Sequence, residues 1–286
     1  EVELRISTMP TAFGEKLVMR IFTPEVLVRD FEDLGFTPDD RERWEKMVRE
    51  PNGVILVTGP TGSGKTTTLY SSLKNIATPE VNLCTIEDPI EMVEPMFNQM
   101  QVQPVIGVDF ATGVRTLMRQ DPDIIMVGEV RDHDTAEMAV QAALTGHLVL
   151  STLHTNDAPS AVTRLLDLGV PPFLLSSTLL GVMAQRLVRT LCPHCKKPTD
   201  PPDDDTWRAL TMPWRADKPE QVMAPAGCLE CRMTGYYGRI GLYEIMLMTP
   251  ALRKLVTRDA DDRALREQAY KDGMKPLRVS GAMKIA

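Results

Sequence analysis

Several protein classes need features that this sequence has little of. Positive charge is in deficit: 32 Lys and Arg stand against 39 Asp and Glu, giving a formal charge of −7. Nucleic-acid binders usually carry a basic stripe, and single-strand translocases interleave it with aromatics. No stretch here does so, and aromatics make up only 5% of the chain. Long apolar runs are missing too. The longest tract, PFLLSSTLLGVMAQRLV at 172–188, is too short and too polar to span a bilayer. There is no internal repeat and no low-complexity segment. The first residue is Glu1 rather than Met and the last residues read GAMKIA, so the sequence is read as a fragment in which a missing targeting signal carries little weight. What remains is 43% apolar and 25% charged, the balance of a soluble globular protein. Its 286 residues suffice for two domains or one large domain with appendages.

Hydrophobic patterning divides the chain. Leu4 and Ile6, then Leu17, Met19 and Ile21, alternate with polar residues, which predicts two strands with Arg5 and Arg20 on the polar faces. A charged stretch follows, and the Trp44, Met47, Val48 spacing predicts an amphipathic helix after Asp39 and Asp40. Four apolar strands are then expected at 54–59, 82–88, 124–129 and 147–154, separated by helices over 65–76, 110–120 and 134–146. Helices are expected at 157–169 and across 172–188. This alternation predicts a mostly parallel sheet covered by helices. From residue 191 cysteines, prolines and the acidic loop TDPPDDDT change the texture; a strand after Gly238 and two helices close the chain.

GPTGSGKT at 59–66 satisfies G-x-x-x-x-G-K-[ST] between an apolar strand and a helix. Its glycines let backbone N–H groups turn inward around phosphate oxygens, and the helix start adds partial positive charge. Gly59, Pro60, Thr61, Gly62, Ser63, Gly64, Lys65, Thr66 and Thr67 are therefore the candidate nucleotide-binding residues. Lys65 is placed to reach the β- and γ-phosphates and Thr66 to touch Mg²⁺. Ligands of an open parallel sheet gather beyond the carboxyl ends of its strands. The other strands deliver Glu87 and Asp88, Glu129 with Arg131 and Asp132, and His154 to that rim. The alternatives are solvated loop carboxylates and a structural imidazole. His147 precedes its strand and belongs to the opposite edge. The acid that usually closes the third strand is missing: Gly128 stands there, followed by Glu129.

These motifs resemble the secretion ATPases of type II secretion and type IV pilus assembly. GPTGSGKTTTLY is similar to their Walker A, TIEDPIE (85–91) to their aspartate box, RQDPDIIMVGEVRD (119–132) to their atypical Walker B with Gly-Glu, and LTGHLVLSTLHTNDA (144–158) to their histidine box. RISTMPTAFGEKLVMR (5–20) resembles the end of their second N-terminal domain. The resemblance implies that Glu129 orients or deprotonates the attacking water, and that Gly128 leaves room for it. Mg²⁺ is then held by Thr66, phosphates and waters, with Glu87 ordering its water shell; His154 joins this catalytic set. Arg5 and Arg20, which the sequence alone would leave as solvated charges, are implied to reach the nucleotide.

Cysteine is scarce, yet four of the five fall in two Cys-x-x-Cys pairs, Cys192/Cys195 and Cys228/Cys231. Four thiolates close a structural Zn²⁺ site. Disulfides are the alternative, disfavoured in reducing cytosol; His194 is a possible substitute ligand, and Cys84 reads as an apolar filler. By resemblance, a tetracysteine insertion goes with secretion or assembly rather than retraction motors.

The expected fold is therefore α/β: a RecA-like P-loop ATPase core with a partial N-terminal α+β domain, a zinc-binding insertion and a helical C-terminal subdomain. The expected boundaries are 1–28, 29–50, 51–190, 191–238 and 239–286. The expected function is ATP hydrolysis to ADP and phosphate powering type II secretion, with pilus assembly as the alternative and a nucleic-acid translocase or a nucleotide-binding regulator without turnover as rivals. The resemblance also implies a homohexamer, no nucleic-acid partner, and membrane platform and docking proteins at the cytoplasmic face of a bacterial inner membrane.

Overall fold

The computed structural model describes residues 3–22 and 29–285. The first two strands, β1 (Glu3–Thr11) and β2 (Gly14–Phe22), form an antiparallel ribbon in which Arg5 pairs in register with Arg20. The side chains of these two arginines, and residues 23–28 of the expected linker, lie outside the described residues. A short helix α1 (Phe31–Leu34) leads to α2 (Pro38–Val48), whose start is fixed by a reciprocal capping box between Thr37 and Asp40 with proline in the first turn.

The core then alternates as the patterning predicts, except for one unexpected edge strand at 98–101. It runs β3 (Gly53–Thr58), α3 (Lys65–Ile76), β4 (Leu83–Glu87), β5 (Asn98–Gln101), α4 (Phe110–Leu117), β6 (Ile124–Val127), α5 (His133–Leu144), β7 (Leu148–Leu153) and α6 (Pro159–Asp167). Helix α7 (Pro172–Thr178) passes directly into β8 (Leu179–Leu191). A cysteine-bearing segment follows, with β9 (Lys197–Thr199), α8 (Asp204–Thr211) and β10 (Val222–Ala224). The chain re-enters the sheet as β11 (Tyr236–Leu247) and ends in α9 (Pro250–Leu255), α10 (Asp262–Lys271) and α11 (Leu277–Ile285).

Among the described residues seven strands form the main sheet in the order β11-β8-β3-β7-β6-β4-β5; all neighbours are parallel except β11, which runs antiparallel to β8 at one edge. Successive residues of β3 supply two separate cores. Val54 and Leu56 pack with Phe110, Val114 and Leu165 from α4 and α6, whereas Ile55 and Val57 pack with Trp44, Leu69 and Leu73 from α2 and α3. That is why β3 reads as an unbroken apolar run: both faces are covered. Each large side chain removed from water this way contributes about 1.5–3 kcal/mol before entropy is counted. Trp44 is fully buried and still satisfies its indole N–H, which donates to Ser72 Oγ at 2.8 Å.

One expectation is overturned here. Residues 172–188 are not one helix, because the helix stops at Thr178 and Leu179 begins a 13-residue strand. Helix and strand join here without an intervening turn, and a continuous apolar tract of this length does not reveal by its period where one ends and the other begins. The tertiary structure decides: β3 and β11 satisfy the backbone of β8 from both sides. At Gly181 any Cβ would collide with Met47 Sδ and the Met246 carbonyl. The core sheet therefore runs past the expected limit at 190. The segment expected to begin a helical unit at 239 lies within its edge strand, and residues 192–235 are inserted between paired Leu191 and Tyr236.

Candidate active site

The carboxyl ends of β3, β4, β6 and β7 open on one cavity of ≈600 Å³, a size suited to a nucleotide-sized ligand. Its lining includes Thr61, Gly62, Gly64, Lys65, Thr66 and Thr67 from the loop after β3 and the start of α3. It also includes Glu87 and Asp88 after β4, Glu129 and Arg131 after β6, and His154 after β7.

The loop after β3 takes its shape from glycine. Gly59, Gly62 and Gly64 have φ of +149°, +78° and +87°, and a Cβ on Gly59 would sit 2.5 Å from the Gln185 carbonyl and 2.7 Å from Ser63 Oγ. The first intrahelical bond of α3 runs from Thr68 N to Gly64 O at 3.1 Å. The N–H groups of Gly64, Lys65, Thr66 and Thr67 precede it and are the orphan donors of a helix start. Ser63 Oγ is buried inside the loop without a hydrogen-bond partner among the described residues. Lys65 Nζ donates to the carbonyls of Gly59 (2.8 Å) and Pro60 (3.2 Å). Burial lowers the Lys65 ammonium below its ordinary value, Glu129 opposes this, and Arg186 adds to it. Unpaired donors, a buried hydroxyl and a desolvated ammonium together fit a phosphate chain.

Gly128 marks the close approach of two strands. Its N–H donates to Ile86 O at 2.8 Å and its carbonyl accepts from Thr152 Oγ1 at 2.7 Å. A Cβ there would lie 3.3 Å from both Ile86 O and the Phe110 ring, inside ordinary contact distance. The acid is consequently displaced by one residue. Glu129 projects into the cavity, with Oε1 accepting from the Arg131 guanidinium and Oε2 lying 3.5 Å from His154 Nε2. Asp132 does not join it; its carboxylate caps α5 by accepting from Thr135 N at 2.8 Å. His147 sits at the amino end of β7, where Nδ1 meets Ala142 O at 2.8 Å, on the far side of the strand from His154. Glu87 closes β4 and is almost completely buried at 4% exposure.

Three contributors escaped the sequence reading. Arg239 and Leu187, from the paired edge strands β11 and β8, line the cavity, and both also line an adjoining recess of ≈220 Å³ with Gly64, Thr67, Leu34 and Tyr243. Gln185 of β8 is buried and accepts from Thr68 Oγ1 at 3.0 Å, bracing the loop and α3 from behind. The misassigned helix over 172–188 hid Gln185 and Leu187. No local motif marks any of the three; a strand assignment for 179–191 would have been the only signal.

The four paired cysteines meet away from this cleft, with every Sγ within 4.8 Å of the others. Three Sγ–Sγ distances are 3.8, 3.8 and 3.9 Å, so these are thiols and not disulfides. Four sulfurs at the usual zinc–sulfur length around one ion would be separated by about 3.8 Å. Backbone N–H groups of Gly227, Cys228 and Gly235 point at sulfur at 3.2 Å, as thiolates require. Burial pushes the Cys231 thiol up, but the Cys228 and Gly235 N–H groups outweigh it and bring it down to about 6. The donor set fits a structural metal ion. His194 is not part of the cluster, and Cys84 lies buried in β4.

A family model described as type II/IV secretion system protein matches residues 1–286. The chain is 64% identical over 285 residues to the type IV pilus assembly ATPase TfpB of Acinetobacter baylyi, covering 100% of this chain and 48% of that protein. It is 48% identical over 284 residues to the type II secretion system ATPase E of Vibrio cholerae, covering 99% and 56% respectively. The crystal structure of the pilus retraction motor PilT with bound ADP matches with a TM-score of 0.61 at 26% identity, covering 99% of this chain and 77% of that one. The chain thus spans about half the length of the curated relatives it matches.

Proposed function

The chain belongs to the type II/IV secretion system protein family, and from that premise we propose that it hydrolyses ATP to ADP and phosphate in the cleft at the strand ends, as a motor of a pilus or secretion machine. One observation carries the reading: orphan N–H donors, Lys65, Thr66 and Glu129 converge on a single ≈600 Å³ cavity.

The loop and Lys65 bind the phosphates, and Thr66 is the residue that would hold Mg²⁺, which neutralises phosphate charge when bound. The adjoining recess, walled by Leu34, Leu187 and Tyr243, takes the base and ribose. Glu129 orients a water against the γ-phosphorus and receives its proton. The new P–O bond forms as the bond to the bridging oxygen breaks, ADP takes that electron pair, and inorganic phosphate departs. His154 and Arg131, both against Glu129, hold its carboxylate in place. Arg5 and Arg20, opposite each other on β1 and β2, are proposed to bring positive charge to the phosphates. Cys192, Cys195, Cys228 and Cys231 would hold Zn²⁺ as a structural brace with no open coordination position.

Identity is higher to the pilus assembly ATPase than to the type II secretion ATPase. On that ground polymerisation of a pilus comes first and type II secretion second, the reverse of the order expected from sequence. A homohexamer working with membrane platform proteins at the cytoplasmic face of the inner membrane completes the proposal. No helix among the described residues is long and apolar enough to cross a membrane. The test is Glu129→Gln in the full-length protein. ATP should bind with parental affinity, while phosphate release should fall by roughly 10²-fold or more, the usual share of a general base. Hydrolysis at the parent rate would remove Glu129 from the mechanism.

A further inference from the structure

Glu87 is held in an unusual way for a carboxylate facing a phosphate cleft. Tyr70 OH donates to Oε2 at 2.6 Å, Thr85 Oγ1 donates to Oε1 at 2.6 Å, and Gln99 Nε2 donates to Oε1 at 3.2 Å. The orientation of Gln99 is fixed independently, because its Oε1 accepts from Glu94 N at 2.7 Å. Its amide N–H groups must therefore face Glu87, Tyr70 OH (3.0 Å) and Met92 O (2.9 Å). Burial pushes the Tyr70 phenol above its ordinary value and the contact with Glu87 pushes it further, so the hydroxyl keeps its proton and donates.

All three donors are neutral. Among the described residues Glu87 has no cationic side chain within ion-pair distance. A carboxylate this buried and unpaired with a cation is costly unless a counter-charge reaches it. Glu87 opens onto the cavity it lines. A carboxylate offers roughly four lone-pair positions and three are filled by the protein, two on Oε1 and one on Oε2, so the spare one belongs to Oε2.

We propose that Tyr70, assisted by Gln99 and Thr85, is a positioning residue that locks Glu87 to receive the hydrated divalent cation accompanying the nucleotide phosphates. This rests on the ATP-hydrolysing reading of the cleft. The tie also spans elements. Tyr70 belongs to α3, whose first turn carries Lys65 and Thr66, while Glu87 ends β4. Tyr70 OH also lies 3.2 Å from Met92 O, in the loop that leaves the rim after Asp88. The cation site is thus registered against the helix that holds the phosphates.

Tyr70→Phe in the full-length protein removes one hydroxyl and keeps the ring that packs on Phe97, 5.8 Å between centroids. Two readouts separate positioning from folding: binding of a fluorescent ATP analogue titrated with Mg²⁺, and steady-state phosphate release. Binding without Mg²⁺ should match the parent. The Mg²⁺ concentration for half-maximal strengthening of binding should rise roughly ten-fold and kcat should fall by a similar factor, as expected for losing a hydrogen bond to a charged group, with KM for ATP unchanged. Gln99→Ala should move both in the same direction and guards against a misfolded first variant. Parental Mg²⁺ dependence in both variants overturns the proposal. So does a loss of Mg²⁺-free binding that tracks the loss of kcat, since the clamp would then serve α3 alone. Failure of the underlying reading looks different: the parent itself would neither bind nor hydrolyse ATP.

Discussion

Replacing Gly128 with aspartate puts the acid back where an ordinary P-loop strand carries it, and the structure says that this should harm the site. The Cβ alone would stand 3.3 Å from Ile86 O and the Phe110 ring and 3.5 Å from Glu87 Cα, against an ordinary contact range of 3.4–4 Å. Relaxing those contacts by a few tenths of an ångström costs at most about 1 kcal/mol, the low end of overpacking. The carboxylate adds the larger part. It would enter beside Glu87, which is buried and already lacks a cationic partner among the described residues. Two like charges about 5 Å apart at an effective dielectric of about 20 repel by roughly 3 kcal/mol. The sum, about 4 kcal/mol, corresponds to a melting-temperature drop on the order of 10 °C for a domain of this size. Gly128→Ala isolates the steric share and should lose about 2–4 °C. Thermal unfolding of the full-length parent and both variants, alongside phosphate release, measures this. A Gly128→Asp protein that melts and hydrolyses like the parent refutes the argument that glycine makes room for Glu129. If alanine costs as much as aspartate, the electrostatic arithmetic is wrong.

Two further predictions concern the rest of the chain. Purified full-length protein should carry about one zinc ion per chain by elemental analysis. Cys228→Ser should lose it and melt earlier, because binding energy at such a site is folding energy; a metal-free parent of equal stability contradicts this. Glu244, on β11, accepts from Ala158 N at 2.9 Å and Leu277 N at 3.3 Å, and burial raises its carboxyl above the ordinary 4.5. A folded value above the unfolded one means its contribution is full below about pH 4.5 and is lost as pH rises through the folded value. The melting temperature of the parent minus that of Glu244→Gln should therefore fall from about pH 5 towards pH 8. A difference that rises across that interval contradicts the sign.

Much of the site was legible because its parts are local. The loop from Gly59 to Thr67 needs only glycines at particular backbone angles and a lysine at the helix start, and those are adjacent in the chain. The displaced acid at Glu129 was legible for the same reason: strand, glycine and glutamate are consecutive. The role of Gly128 itself was only half visible. That Ile86 O and Phe110 crowd it depends on β4 and α4 arriving from residues far away in sequence. Strand β8 is not legible because α7 runs into it without a turn, so residues 172–188 read as one tract long enough for a helix, which places Gln185 and Leu187 away from the cleft. Arg239 was invisible for a related reason: it reaches the site only because β11 pairs antiparallel with β8.

The sequence by itself determined the phosphate loop, the order of the four central strands and their helices, the position of the shifted acid and the four-cysteine set, but not the edge strand β5. Each feature so determined is written in neighbouring residues, in a helical period, or in a short apolar run bounded by turn residues. Only the tertiary structure decided that the sheet extends to seven strands and that the cysteine module hangs between two of them. The same holds for the buried Tyr70, Gln99 and Thr85 donors that converge on Glu87. Those features come from strand pairing and burial between distant segments, where the energy lies in contacts that no local pattern records.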